Sequence, residues 1–301
     1  MMNRVATRRL AARRLSTTAV ATNLDDVATP KLICSDSGKF SCTILPGWSL
    51  FAGKGGFGGM LKAQLARASV QLLPADRRLL SMNTTFLAPA SAGDVEITAK
   101  VLRNGKAMSY VAAEVAQAGT VLTTAHLAFG TSRAGSQSHP PLPMPSGLPE
   151  PVPEPLPETV APFVPEYFRD RMEVRWASET RLLDGATDPV IRLWMRFREK
   201  PVRDCGLFVA MLDAPPPPIW SAFTKPAVCA SVTTHMQLLQ PAATEEEEEA
   251  GHAHPWYLYE SRSTHMGGGH SDIQGRLWRE DGAMVGLITQ HVVDFSAPRA
   301  G

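Results

Sequence analysis

Four of the eight histidines, His252, His254, His265 and His270, crowd one stretch of chain with Glu260 among them, and imidazole and carboxylate are both metal ligands. Their spacing is irregular and broken by glycines, unlike the short regular intervals of zinc sites, so solvated loop histidines and no metal are expected. Cys34, Cys42, Cys205 and Cys229 include no CxxC pair, and four cysteines in so long a chain make no disulfide framework; they read as small buried apolar residues. Asp213 closes an apolar helical stretch just ahead of Pro215 to Pro218, where spacing alone makes it a turn residue. Ser231, Thr233 and Gln290 fall in alternating runs, and nothing in their spacing by itself marks a site. The glycines at Gly53, Gly55, Gly56, Gly58 and Gly59 open a helix, where unpaired amides and the helix dipole favour negative charge and a missing side chain permits close approach. A tight strand-to-helix turn would use the same glycines.

The elements that must position these residues come in two series. A chain of 301 residues with 44% hydrophobic content can bury two cores. Lysine and arginine number 30 against 29 acidic residues, so no general positive field exists to hold nucleic acid, and no run of about 20 apolar residues is present to cross a bilayer. No nucleic-acid partner and no stable membrane insertion are expected. Residues 1–28 carry Arg4, Arg8, Arg9, Arg13 and Arg14 among serines and threonines, with no acid before Asp25. That is the composition of a transit peptide and predicts a mitochondrial address, a cytoplasmic one being the alternative.

The first series spans 30–134. Phe40, Cys42 and Ile44 alternate as a strand, and Leu61, Leu65, Ala68 and Leu72 follow at helical spacing up to Pro74. Four period-two runs come next, from Met82, Val95, Val111 and Val121, with an Asn104-Gly105 turn that favours a tight antiparallel hairpin through positive φ at both residues. Residues 135–166 are rich in proline and read as an extended interdomain linker. The second series, 167–297, repeats the first: a strand through Ile191 to Phe197, a short helix around Leu207 to Met211, then four more alternating runs. Phe86-Leu87-Ala88-Pro89 can be laid against Leu238-Leu239-Gln240-Pro241, and Asn104-Gly105 against Asp281-Gly282, with the acidic run Glu245 to Glu249 as a solvated loop insertion. Trp256, Tyr257, Tyr259 and Trp278 alternate as core or pocket lining. The fold class is α+β: an antiparallel sheet wrapped around a central helix, twice over.

Gly56-Phe57-Gly58-Gly59, Ala63-Gln64, Thr85-Phe86-Leu87-Ala88-Pro89 and Leu102-Arg103-Asn104-Gly105-Lys106 together resemble the acyl-CoA thioesterase II (TesB-like) double hotdog family, from about Gly38 to Phe295. The resemblance implies two fused hotdog domains, an acyl-CoA substrate, no cofactor, and a homo-oligomer formed through sheet edges. It also implies a catalytic trio of Asp, hydroxyl and Gln, which falls on Asp213, Ser231 and Gln290. The family's threonine is Ser231 here, and Thr233, two positions on, is an alternative hydroxyl on what reads as the same strand face. His291 follows Gln290 where the family has an acidic residue.

Such a trio hydrolyses a thioester by holding a water. Asp213 would take its proton, Ser231 and Gln290 would fix its position, and backbone N–H groups at Gly58 and Gly59 would receive the oxyanion. Hotdog hydratases use an Asp with a His five positions later, and no such pair occurs here. A catalytically silent acyl-CoA binder is the alternative from another class.

Overall fold

A computed structural model describes residues 23–51, 54–132, 139–158, 160–239 and 254–295. The arginines of the expected transit peptide, Glu245 to Glu249 and His252 lie outside the described residues. Residues 24–28, assigned above to the leader, are part of the folded body. They form α1 (Leu24–Ala28), whose capping box joins Asn23 and Asp26 reciprocally and whose Leu24, Val27 and Ala28 are buried.

The rest of the first half runs β1 (Lys31–Cys34), β2 (Lys39–Ile44), a small ribbon of β3 (Ser49–Phe51) and β4 (Lys54–Gly56), α2 (Gly58–Val70), β5 (Arg78–Phe86), β6 (Gly93–Asn104), β7 (Met108–Gln117) and β8 (Thr120–Gly130). The second half runs α3 (Glu166–Arg171), β9 (Met172–Trp176), β10 (Val190–Phe197), α4 (Cys205–Leu212), α5 (Ile219–Ala222), β11 (Cys229–Leu238), β12 (Tyr257–Arg262), β13 (Met266–Gly267), β14 (His270–Arg279) and β15 (Met284–Asp294). The two expected sheets are joined. Antiparallel pairing of β5 with β11, Thr84 opposite Thr234 and Thr85 opposite Thr233, makes one continuous sheet ordered β1-β2-β6-β7-β8-β5-β11-β15-β14-β12-β10-β9. The halves are therefore mirrored in strand order about the β5–β11 seam, and the paired backbone removes what would be an open edge on each.

That order corrects one internal correspondence. The β6–β7 turn at Asn104-Gly105 matches the β12–β14 connection, whereas Asp281-Gly282 joins β14 to β15 and matches the β7–β8 turn. Two-residue turns with positive φ at both positions occur at Ala118-Gly119, at φ 49° and 80°, and at Gly268-Gly269, at φ 59° and 78°, but not at Asn104-Gly105, which adopts positive φ at neither residue. Leu238 does fall at the end of β11, the counterpart of β5.

The two central helices pack on one another in a shared core. α2 is buried nearly all round, including Lys62 and Arg67, which a helical pattern read from sequence leaves in solvent. Arg67 is held by Asp204 and Asp25, with Nε to Asp204 Oδ2 at 2.8 Å, so one guanidinium ties α1, α2 and the start of α4 together. Asp204 also caps α4 by accepting from Leu207 N at 3.0 Å.

The proline-rich segment does more than space the halves. Its carbonyls at Leu142 and Pro149 accept from the indoles of Trp278 (3.1 Å) and Trp194 (2.9 Å), and Met144 and Leu148 cover the apolar cluster of Trp194, Trp256, Leu258, Trp278 and Met284. Further along, Glu154 N donates to Val174 O at 2.9 Å and shields the edge strand β9. Trp256 and Trp278 are thus core of this strapped cluster, while Tyr257 and Tyr259 belong to the main core. Among the described residues no helix is long and apolar enough to cross a membrane.

Candidate active site

α4 ends at Asp213 because four successive prolines from Pro215 cannot continue a helix. Asp213 N still donates back to Ala210 O at 3.2 Å, and the residue's side chain is directed away from solvent, 7% exposed. Its Oδ1 lies 2.8 Å from Nζ of Lys62, which is fully buried on α2. Its Oδ2 lies beside Gly58, where an added Cβ would stand only 2.7 Å away. Gly58 and Lys62 are four residues apart on one helix face, so a single carboxylate from the second half spans both.

Burial raises the pKa of Asp213 against the opposing pull of Lys62, and lowers that of Lys62 against the pull of Asp213. The result is a carboxylate more basic than usual and still charge-compensated. Tyr167 is also near: its hydroxyl donates to Ala214 O at 2.9 Å, and burial first, then the charge of Asp213, holds the phenol well above its ordinary pKa.

Gln290 and Ser231 arrive on the neighbouring strands β15 and β11. Ser231 faces Val292 across the ladder, and Gln290 is two residues before Val292 on the same face, so Gln290 Nε2 reaches Ser231 Oγ in a short hydrogen bond. The strand is irregular here. Pairing slips between Ser231 and Thr233, leaving Val232 as an extra residue, and the alternation changes phase. Ser231 consequently lines the cavity, Thr233 is exposed outside it, and Thr234 is buried. The expectation that Ser231 and Thr233 share a face fails because of this bulge, and Thr233 does not border the cavity.

Asp213, Ser231, Gln290 and Gly58 all border one cavity of about 550 Å³ between the halves. Most of its wall is apolar, with Leu61, Phe86, Leu212, Trp220, Ile273 and Val292 among the lining residues and Tyr167 and Tyr259 beside them. The two glycines separate. Gly58 faces the cavity, whereas Gly59 is packed against α4, where a Cβ would meet the Ala210 carbonyl oxygen at 2.9 Å as well as the Phe57 ring. Gly59 is the close-approach residue of the helix pair rather than part of the wall. As the opening residue of α2, Gly58 presents an N–H that no preceding helical turn can pair.

Lys62 is the residue the sequence did not reveal. Its signal was faint: a lysine four positions after the helix-opening glycine, on a helix otherwise apolar on that side. The histidines form no comparable centre. Glu260 is held by Arg192 and Arg276, and His270 faces His291 with 3.0 Å between ring nitrogens. Among the described residues no three His, Cys, Asp or Glu side chains converge as metal ligands.

Comparisons with known proteins match residues 45–130 to the acyl-CoA thioesterase N-terminal domain and residues 137–293 to the acyl-CoA thioesterase C-terminal domain. Similar solved structures include a hot dog fold protein of unknown function from Alicyclobacillus acidocaldarius, with 24% identity, TM-score 0.74, and coverage of 93% of this chain and 100% of that one. A tesB protein of Mycobacterium avium subs paratuberculosis matches with 19% identity and TM-score 0.69 over 91% of this chain and 98% of its own. An acyl-CoA thioesterase II of Mycobacterium marinum matches with 17% identity and TM-score 0.67 over 90% and 97%. Comparison with curated proteins gave no match.

Proposed function

Because this chain belongs to the acyl-CoA thioesterase family, matching both of that family's domains in order, we propose that it hydrolyses fatty-acyl-CoA to a free fatty acid and CoA with a water activated by Asp213. The observation that carries the reading is that the Asp213 carboxylate and the Ser231–Gln290 pair border the same largely apolar cavity. An acyl chain fits such walls, and its thioester would then lie where the polar groups converge.

Asp213 accepts a proton from the water as its oxygen attacks the carbonyl carbon. Ser231 and Gln290 fix the water's direction, and the hydrogen bond between them holds both rotamers. The carbonyl oxygen, negative in the tetrahedral intermediate, receives the N–H of Gly58 at the positive end of α2. The C–S bond then breaks, the sulfur leaves as the CoA thiolate, and that thiolate takes up the proton that Asp213 had accepted, which restores the base. No side chain is acylated.

Release of CoA thiol from acyl-CoAs of graded chain length, compared between the wild type and Asp213→Asn, tests the proposal. Loss of a positioned general base predicts a fall of about 10²- to 10⁴-fold in kcat. Equal inertness of both proteins together with retained acyl-CoA binding would make the chain a silent binder instead. Since the base must be ionised, activity rises with pH, along a limb displaced above the ordinary carboxylate range by the burial of Asp213.

A further inference from the structure

We infer that Lys62 is a positioning residue of the site: its ammonium holds one oxygen of Asp213 so that the carboxylate stays ionised and offers its other oxygen to the cavity. The inference rests on the proposed role of Asp213 as base. Three observations carry it. Lys62 Nζ is fully buried and its nearest charge is Asp213 Oδ1 at 2.8 Å. The rest of its surroundings only complete a cation's environment, with Thr234 Oγ1 at 3.5 Å and the Phe86 ring centroid at 5.4 Å. The carboxylate's two oxygens are divided, Oδ1 to Lys62 and Oδ2 to the Gly58 side that borders the cavity.

A carboxyl buried this deeply without a cation takes up a proton at neutral pH and cannot act as a base. The other titratable groups near Asp213 cannot replace the charge. Tyr167 from α3 and Tyr259 from β12 are both buried phenols whose pKa burial drives upward, so they are neutral at any working pH. Lys62 does not itself border the cavity, so it acts through Asp213 rather than on substrate. Because α2 belongs to the first half and α4 to the second, the base of one half is kept charged by the other.

A merely structural ion pair and a positioning one differ in pH dependence. Lys62→Met should displace the acidic limb of kcat upward by about one pH unit or more, lowering kcat at neutral pH by about tenfold or more. KM should stay within about threefold, and activity should recover at high pH, because the change acts on protonation rather than on substrate contacts. A loss equal at every pH, or a limb unchanged from the wild type, overturns the inference. Lys62→Gln, one bond shorter but keeping a donor without the charge, carries the same test where Lys62→Met does not fold.

The carboxyl itself supplies a readout independent of turnover. Infrared difference spectra, with Asp213→Asn identifying the band, should show the protonated carboxyl of Asp213 appearing at higher pH in the Lys62 variants than in the wild type. Should the wild type be inert on every acyl-CoA, the hydrolysis reading fails while this titration still decides the role of Lys62. Should neither variant fold, a protonated Asp213 in the wild type at neutral pH overturns the inference, and an ionised one upholds it.

Discussion

Replacing Gly58 by alanine adds a methyl group directly beside the candidate base. The new Cβ would stand 2.7 Å from Asp213 Oδ2 and 3.0 Å and 3.3 Å from two carbons of the Phe86 ring, where ordinary contact begins at 3.4 Å. The carboxylate must therefore retreat by the difference between 3.4 and 2.7 Å, about 0.7 Å, unless Phe86 and α2 yield first. A misplacement of about 1 Å in a reacting group costs on the order of 10²-fold in rate, so kcat should fall roughly 10- to 100-fold. Stability should change little. Gly58 has no positive φ, so alanine meets no backbone conflict, and the gain in helix propensity of at most about 1 kcal/mol offsets part of the crowding.

Gly59→Ala is the control that separates chemistry from packing. Its Cβ would press on the backbone carbonyl of Ala210, 2.9 Å away, and a backbone atom inside a helix cannot swing aside as a carboxylate can. Overpacking of this kind costs about 1–3 kcal/mol, so Tm should drop clearly, with a smaller effect on kcat per folded molecule than at Gly58. Thiol-release kinetics and thermal unfolding on both variants make the comparison. Wild-type kcat in Gly58→Ala, or a loss of Tm there that matches Gly59→Ala, would refute the placement of Gly58 beside the working carboxylate.

Two further outcomes follow from the bulge in β11 and from the cysteines. Ser231→Ala removes the acceptor of the Gln290 hydrogen bond and should lower kcat about tenfold, whereas Thr233→Val, outside the cavity, should stay within about twofold; the reverse ranking in the same thiol-release assay would show that the strand is read in the wrong phase. Iodoacetamide at mildly alkaline pH should modify Cys34 first, because it is exposed and hydrogen bonds from Ser37 favour its thiolate, while burial pushes Cys42 and Cys229 up to about 11 and Cys205 up to about 12. Peptide mass spectrometry showing equal labelling of a second cysteine in the folded protein would contradict that ordering.

Much of the fold was legible because burial imposes period. The alternating runs of β2, β5, β6, β7 and β8 could be read directly, since each turns one face to the shared core, and the apolar residues of α2 could be read from their helical spacing although that helix is buried nearly all round. The residues of the trio were legible only through resemblance, because an aspartate before prolines, a serine and a glutamine in strands carry no period of their own. Lys62 and Arg67 escaped for the opposite reason: charge on a helix predicts solvent, and only the approach of α4, bringing Asp204 and Asp213, makes burial of both tolerable. The slip at Val232 was equally hidden. Strict alternation puts Ser231 and Thr233 together, and one unpaired residue separates them. The proline-rich segment read as a spacer because its own residues cannot form a core, yet they complete one supplied by Trp194, Trp256 and Trp278.

What the repetition of the unit achieves is visible at the seam. Each half contributes a sheet and a helix, but the polar groups are not duplicated: Gly58 and Lys62 come from the first, Asp213, Ser231 and Gln290 from the second. The register of β5 on β11 and the close packing of α2 on α4 at Gly59 fix how those groups meet, so the geometry at Asp213 depends on contacts well outside the cavity. A second half standing alone would leave Asp213 without its cation and Ser231 beside an open strand edge. Joining the halves therefore also brings Lys62 to Asp213, and is not only a means of holding two domains together.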